Sequence, residues 1–207
     1  DKDVAMLSQE KPMAKFKVLD NTNASPLVDI NFLFYTGAAA DPEGKKGLAA
    51  LTANMVARGG SEAMSYKEIQ KALYPVAGSF SAQVDKEMVS FSGRVHKDKA
   101  ELWYDIISAQ LLTPGWREDD FNRLKKEQID RIKSSLKASN DEELGKEVLY
   151  HDLYKNHAYE SYNLGDLSDL ETITLSDVKD FYQEEFTQAK LNLGISPNLL
   201  TSILSFS

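Results

Sequence analysis

The sequence predicts an α+β domain with one mainly antiparallel sheet and helices packed on one face of it. Three observations carry that prediction. Alternating, strand-like stretches lie near both ends of the chain, at Ala14 to Leu19, Pro26 to Thr36 and Leu191 to Ile195. Two further strands, Ser79 to Val84 and Glu87 to Val95, adjoin each other across Asp85-Lys86. Between these blocks the apolar residues recur at helical rather than at alternating spacing.

Taken in order, Asp1 to the residues before Ala14 form a lead-in without a periodic pattern, so that 1–13 stand outside the domain and 14–198 within it. AKFKVL (Ala14 to Leu19) alternates apolar and basic residues, and DNTNAS after it is a turn. From Pro26 to Thr36, Val28, Ile30, Phe32 and Phe34 fall on one face and Asp29, Asn31 and Tyr35 on the other, the pattern of a central strand. A turn-rich loop follows, GAAADPEGKK (Gly37 to Lys46). GLAALTANMVARGG (Gly47 to Gly60) then places Leu48, Leu51, Thr52, Met55 and Val56 on the buried face of an amphipathic helix stopped by Gly59 and Gly60. Ser65 is the N-cap of a short helix that ends at Pro75 and Gly78. After the strand pair, a helix runs from Lys97 to Leu112 with Leu102, Trp103, Ile106 and Ile107, and TPGW (Thr113 to Trp116) breaks it. Arg117 to Ala138 is the longest helix, with Phe121, Leu124, Ile132 and Leu136 to one side. Asn140-Asp141 begins another, reaching about Tyr154, and a loop carries the chain to Asp166. TLSD (Thr174 to Asp177) is a capping box with Asp in the Glu place, heading a helix that turns Val178, Phe181 and Tyr182 inward.

Composition narrows the function. The 207 residues are 42% hydrophobic with a net charge of −8, a globular and acidic chain whose surface disfavours nucleic acid and anionic membrane. No stretch approaches the roughly 18 apolar residues of a membrane-spanning helix. The absence of cysteine removes disulfides, thiolate metal ligands and cysteine nucleophiles together. The polar opening DKDVAMLSQEKP contains no signal segment, as expected of a mature exported protein or a trimmed chain.

The strand, the loop with DP-x-G-K-x-G-L-A, and the helix after it resemble the M16 metallopeptidases, the pitrilysin, insulinase and mitochondrial processing peptidase family. HAY (His157 to Tyr159) with Gly165, and the L-x-x-I-T-x-x-D-x-x-x-F-Y segment from Leu170 to Tyr182, follow in the same order. In that family the helix carries H-x-x-E-H, two histidine ligands of a zinc ion and a glutamate general base. The five positions here are Ala50, Leu51, Thr52, Ala53 and Asn54, so both histidines and the glutamate are replaced. The third ligand of the family falls at Asp130 or Arg131. Alanine offers no lone pair, and an amide oxygen is a poor ligand for zinc. The resemblance therefore implies a processing-peptidase-like domain without M16 zinc catalysis, and no zinc cofactor is expected.

Other chemistry finds little support. His96 sits at a strand-to-helix junction and suits capping or solvent. His151 and His157 are six residues apart, about 600° around a helix, and so on different faces. The runs Glu118-Asp119-Asp120 and Asp141-Glu142-Glu143 suit helix N-termini, where the dipole favours negative charge; Glu184-Glu185 suits a solvated face. No nucleophile elbow, phosphate loop or dinucleotide fingerprint occurs.

The resemblance supplies the functional expectations. In the family the strand matching Ser79, Phe80, Ser81, Ala82, Gln83 and Val84 lies at a sheet edge and pairs with extended peptide, and an exposed edge is a template for that pairing. Four homologous domains of such proteases enclose the substrate, so this chain is expected to pair with other M16-type domains or an active M16 subunit. The alternative is a purely structural subunit, like the core proteins of the respiratory bc1 complex. The resemblance favours the bacterial periplasm or cell envelope over the cytoplasm. Residues 199–207 match nothing expected of the family at that point.

Overall fold

A computed structural model describes residues 15–18, 26–138, 153, 157 and 162–195, the side chains of 15–18 and 135–138 excepted. The expected helix after Asn140, the loop from Lys155 to Tyr159 and the tail from residue 199 lie almost wholly outside the described residues.

Five strands form one sheet: β1 (Lys15–Val18), β2 (Leu27–Phe34), β3 (Ser79–Val84), β4 (Val89–His96) and β5 (Leu191–Ile195). Their order across the sheet is β1-β5-β2-β4-β3. β2 is central and antiparallel to both neighbours, with Phe32 opposite Phe91 of β4 and Leu193 of β5. β1 joins β5 in parallel, the one departure from an antiparallel sheet. The hairpin differs slightly from expectation. β4 begins at Val89 instead of Glu87, because the Asp85 N–H closes a four-residue turn on the Met88 carbonyl, and it runs one residue further, to His96.

Alternation assigns the two faces. Val28, Ile30, Phe32 and Phe34 of β2 and Val89, Phe91 and Val95 of β4 are buried in one cluster with Trp103, Ile106, Ile107 and Leu111 of α3 (Ala100–Leu112) and Ile69 and Leu73 of α2 (Tyr66–Leu73). Phe186 closes this layer, its ring 5.1 Å from Phe34 and 5.5 Å from Phe91.

The helix from Gly47 to Gly60 becomes α1 (Leu48–Arg58). One buried face was expected; the structure buries it nearly all round. Ala53, Val56 and Ala57 face the sheet cluster. Leu48, Ala49, Leu51 and Met55 enter a second cluster with Phe121, Leu124 and Ile132 of α4 (Glu118–Ala138), Leu170 of α5 (Leu167–Thr172), and Val178 and Phe181 of α6 (Leu175–Glu185). The amphipathic signal captured only the larger side chains. The alanines between them let helices and sheet approach from both sides.

Candidate functional site

α1 is held at both ends. At its start the buried Asp41 carboxylate accepts hydrogen bonds from the N–H groups of Gly47 and Ala49, each at 2.7 Å. These are amides that a helix start leaves without internal partners. Burial pushes the Asp41 carboxyl up to about 6, against the pull of those two amides and of Lys46 and Lys86. Gly47, the residue before the helix, has φ 100°, and a Cβ there would lie 2.5 Å from the Leu164 carbonyl oxygen. Gln128 of α4 donates through Nε2 to the carbonyls of Gly47 (3.0 Å) and Leu164 (2.7 Å), tying the loop before α5 to the same point.

At the other end Gly60 takes the left-handed conformation, φ 77°, and turns the chain out of the helix. Arg117 donates to the carbonyls of Gly59 and Ser61, and Arg123 to that of Arg58, while Gln110 of α3 reaches the Ala57 carbonyl. Carboxylate at the start and guanidinium at the end complement the helix dipole.

On this pinned helix, Ala50 and Ala53 are buried, 1% and 0% exposed, as methyl groups in packed surroundings. Asn54 is half-buried and donates Nδ2 to the Ala50 carbonyl of its own helix at 2.8 Å. Thr52 is buried as well, and its hydroxyl has no hydrogen-bond partner among the described residues. Asp130 and Arg131 both lie on the exposed side of α4. The α4 residue that reaches the α1 start is Gln128. Among the described residues no three His, Cys, Asp or Glu side chains are grouped to hold a metal. His96 caps the short turn after β4, its Nδ1 accepting from the Asp98 N–H, and His157 is exposed. Glu118, Asp119 and Asp120 occupy the first turn of α4, and Glu185 accepts from Lys190 at 2.5 Å and from Thr36.

Among the described residues, Ser79 to Val84 form β3 at the edge of the sheet, paired with β4 alone. The Asp85–Met88 hydrogen bond sets the phase of the ladder. Residues 79, 81 and 83 then sit in pairs that bond β4, and the N–H and C=O groups of Phe80, Ala82 and Val84 point to the outer edge. Near its end, Asn163 Nδ2 approaches the Val84 carbonyl at 3.5 Å, as that phase requires. Phe80, Ala82 and Val84 pack their side chains on the sheet cluster, and Ser79, Ser81 and Gln83 are exposed on the opposite face.

The sequence model of the insulinase family, peptidase family M16, matches residues 17–166. The chain belongs to that family. Its fold is that of solved M16 structures. An inactive domain of a peptidase M16 from Pseudomonas fluorescens matches with a TM-score of 0.79 and 22% identity, over 89% of this chain and 44% of that one. A protease from Helicobacter pylori matches with a TM-score of 0.73 and 14% identity, over 83% and 41%. Pitrilysin matches with a TM-score of 0.72 and 15% identity, over 86% and 20%. The chain thus spans less than half the length of each of these three proteins. Comparison with curated proteins gives no significant match.

Several residues that shape this M16 site escape a sequence reading. Gln110 shares the helical phase of Trp103, Ile106 and Ile107, and Gln128 that of Phe121, Leu124 and Ile132. A polar residue in an apolar phase is the signal that marks each of them. Arg117 carries no such mark, because its partners are carbonyls some 56 to 58 positions earlier in the chain.

Proposed function

We propose that this M16 domain is non-catalytic, that it pairs with other M16 domains to enclose a peptide chamber, and that β3 holds extended peptide. The observation that supports the reading is the donor set on α1. At the places where the family carries two zinc ligands and a base, the helix has two buried methyl groups and an amide whose NH₂ is already given to Ala50. Such a set does not fit zinc, which takes imidazole, thiolate or carboxylate. The frame around it remains anchored at both ends, as a wall or binding domain needs.

Peptide binding rests on the outward backbone groups of Phe80 and Ala82, which match the ladder of an added strand, whereas the Val84 carbonyl is already approached by Asn163. The bacterial periplasm or envelope is the compartment proposed. The deciding experiment is metal analysis of the purified chain, followed by mixing with an H-x-x-E-H-bearing M16 subunit. The expected result is no stoichiometric zinc, no chelator-sensitive cleavage by the chain alone, and peptidase activity in the mixture that exceeds that of the subunit. A stable complex with no change in cleavage selects the purely structural alternative. One zinc per chain with cleavage blocked by a chelator overturns both readings.

A further inference from the structure

A cavity of about 460 Å³ opens beside the first residues of β3, between that edge strand and α2. Ala57 of α1, Ile69 and Leu73 of α2 and Phe80 of β3 give it an apolar wall, and its size suits a ligand group rather than a packing defect. Gln70 and Tyr74, both exposed, mark the mouth. Gln110, Ser79 and Gly78 also line it, with polar groups engaged within the protein or closed off. Gln110 donates Nε2 to the Ala57 carbonyl at 2.9 Å, and its Oε1 is sealed from anything that enters. The Ser79 hydroxyl accepts from the Arg94 N–H at 3.1 Å, and the Ser79 carbonyl accepts from the Trp103 indole N–H at 3.0 Å. The Gly78 N–H donates to the Leu73 carbonyl at 3.1 Å. A polar side chain brought in here gives up water and gains no partner from these groups, whereas an apolar one gains by leaving water.

The ladder fixes what can reach this cavity. Toward the end of β3, Asn163 Nδ2 already approaches the Val84 carbonyl, which leaves the outward groups of Phe80 and Ala82 to hold an added strand. The residue of that strand facing Phe80 turns its side chain to the same face as Phe80, the β3 side chain that packs toward α2 at the cavity. We infer that the cavity is the specificity pocket of this edge, taking a bulky, wholly apolar side chain such as leucine or phenylalanine from the peptide residue that faces Phe80. The lining reaches no further along β3 than Phe80, so this one position of the peptide is read and the residue facing Ala82 is not. The inference rests on the reading of β3 as a peptide-binding edge.

The test uses short labelled peptides of alternating Thr and Ser with one variable central residue, bound to the whole chain and followed by fluorescence anisotropy. Leu or Phe at the centre is expected to bind at least about tenfold tighter than Ala, and Gln or Lys no tighter than Ala. Gln70→Trp at the mouth and Ala57→Leu in the wall are each expected to cut the Leu advantage at least about threefold without weakening the Ala peptide. Toluene, a probe that needs no peptide, is expected to shift the amide NMR signals of Ile69, Leu73 and Phe80, and to lose that effect in Gln70→Trp. Peptides that bind equally whatever the central residue, yet are lost from Ala82→Pro, overturn the pocket and leave the edge. A Leu advantage untouched by both variants places the apolar contact elsewhere and also overturns the pocket. No peptide bound, with the toluene shifts present, overturns the edge reading and removes the peptide as occupant, while the cavity remains a site for apolar groups.

Discussion

Asp41 combines two roles that pull its ionisation in opposite directions. Its carboxylate satisfies the amides of Gly47 and Ala49, yet burial raises it from 3.8 to about 6. Between those values the folded chain binds more protons than the unfolded one. This contribution to stability is therefore fully present below about pH 4 and is lost as pH rises through 6, on the order of 3 kcal/mol in all. Asp177 works the other way and lower. Burial opposes it, but the Thr174 cap and Lys45 hold its carboxyl below its ordinary 3.8, so its contribution disappears only as pH falls beneath that. Urea unfolding of the native chain and of Asp41→Asn at pH 4.5 and 7 isolates the first effect. The native chain is expected to gain on the variant at the lower pH; an equal gap at both would contradict the assignment. Ala53 makes a second residue-scale case. It is 0% exposed against the sheet cluster, so Ala53→Glu buries a charge without a partner. A loss of at least about 3 kcal/mol is expected in the same assay.

At the scale of elements, β3 offers the sharpest contrast. Ala82 points its N–H outward, and Ser81 points its own into the ladder with β4. Ala82→Pro is expected to keep the fold and abolish binding of extended peptide, since an edge accepts proline on its outer side. Ser81→Pro is expected to destabilise the hairpin itself, with circular dichroism melts and peptide binding measured side by side. Peptide retained by Ala82→Pro would mean that the outer edge is not the binding surface. The strands of this sheet are legible from alternation, and the two capping boxes, at Ser65 and Thr174, from their residue types. α1 is legible as a helix but not as an enclosed one. Alanine carries too small a signal to mark a second buried face, and only the meeting of α4 and α6 with the sheet reveals it.

The whole molecule is joined through that helix. Met55 belongs to the helical cluster and Val56 to the sheet cluster, one residue apart. Disruption on either side should therefore reach the other. Met55→Ala and Val56→Ala are each expected to lower one common thermal transition, by roughly 2–5 and 1–3 kcal/mol. Near- and far-ultraviolet circular dichroism should coincide in both variants. Separate transitions would show that the two layers fold independently.

What the residues alone determined is the class of fold, the order of its elements and the presence of Ala, Ala and Asn, none of them a good zinc ligand, at positions 50, 53 and 54. Each of these is written in local pattern: period, turn chemistry and side-chain type. Only the tertiary structure decided that α1 is clamped by Asp41, Arg117, Arg123 and Gln110, which edge of β3 faces outward, and that a cavity lies beside it. Those features arise from groups far apart in sequence whose meeting is set by packing, and packing leaves no mark on any single stretch of chain.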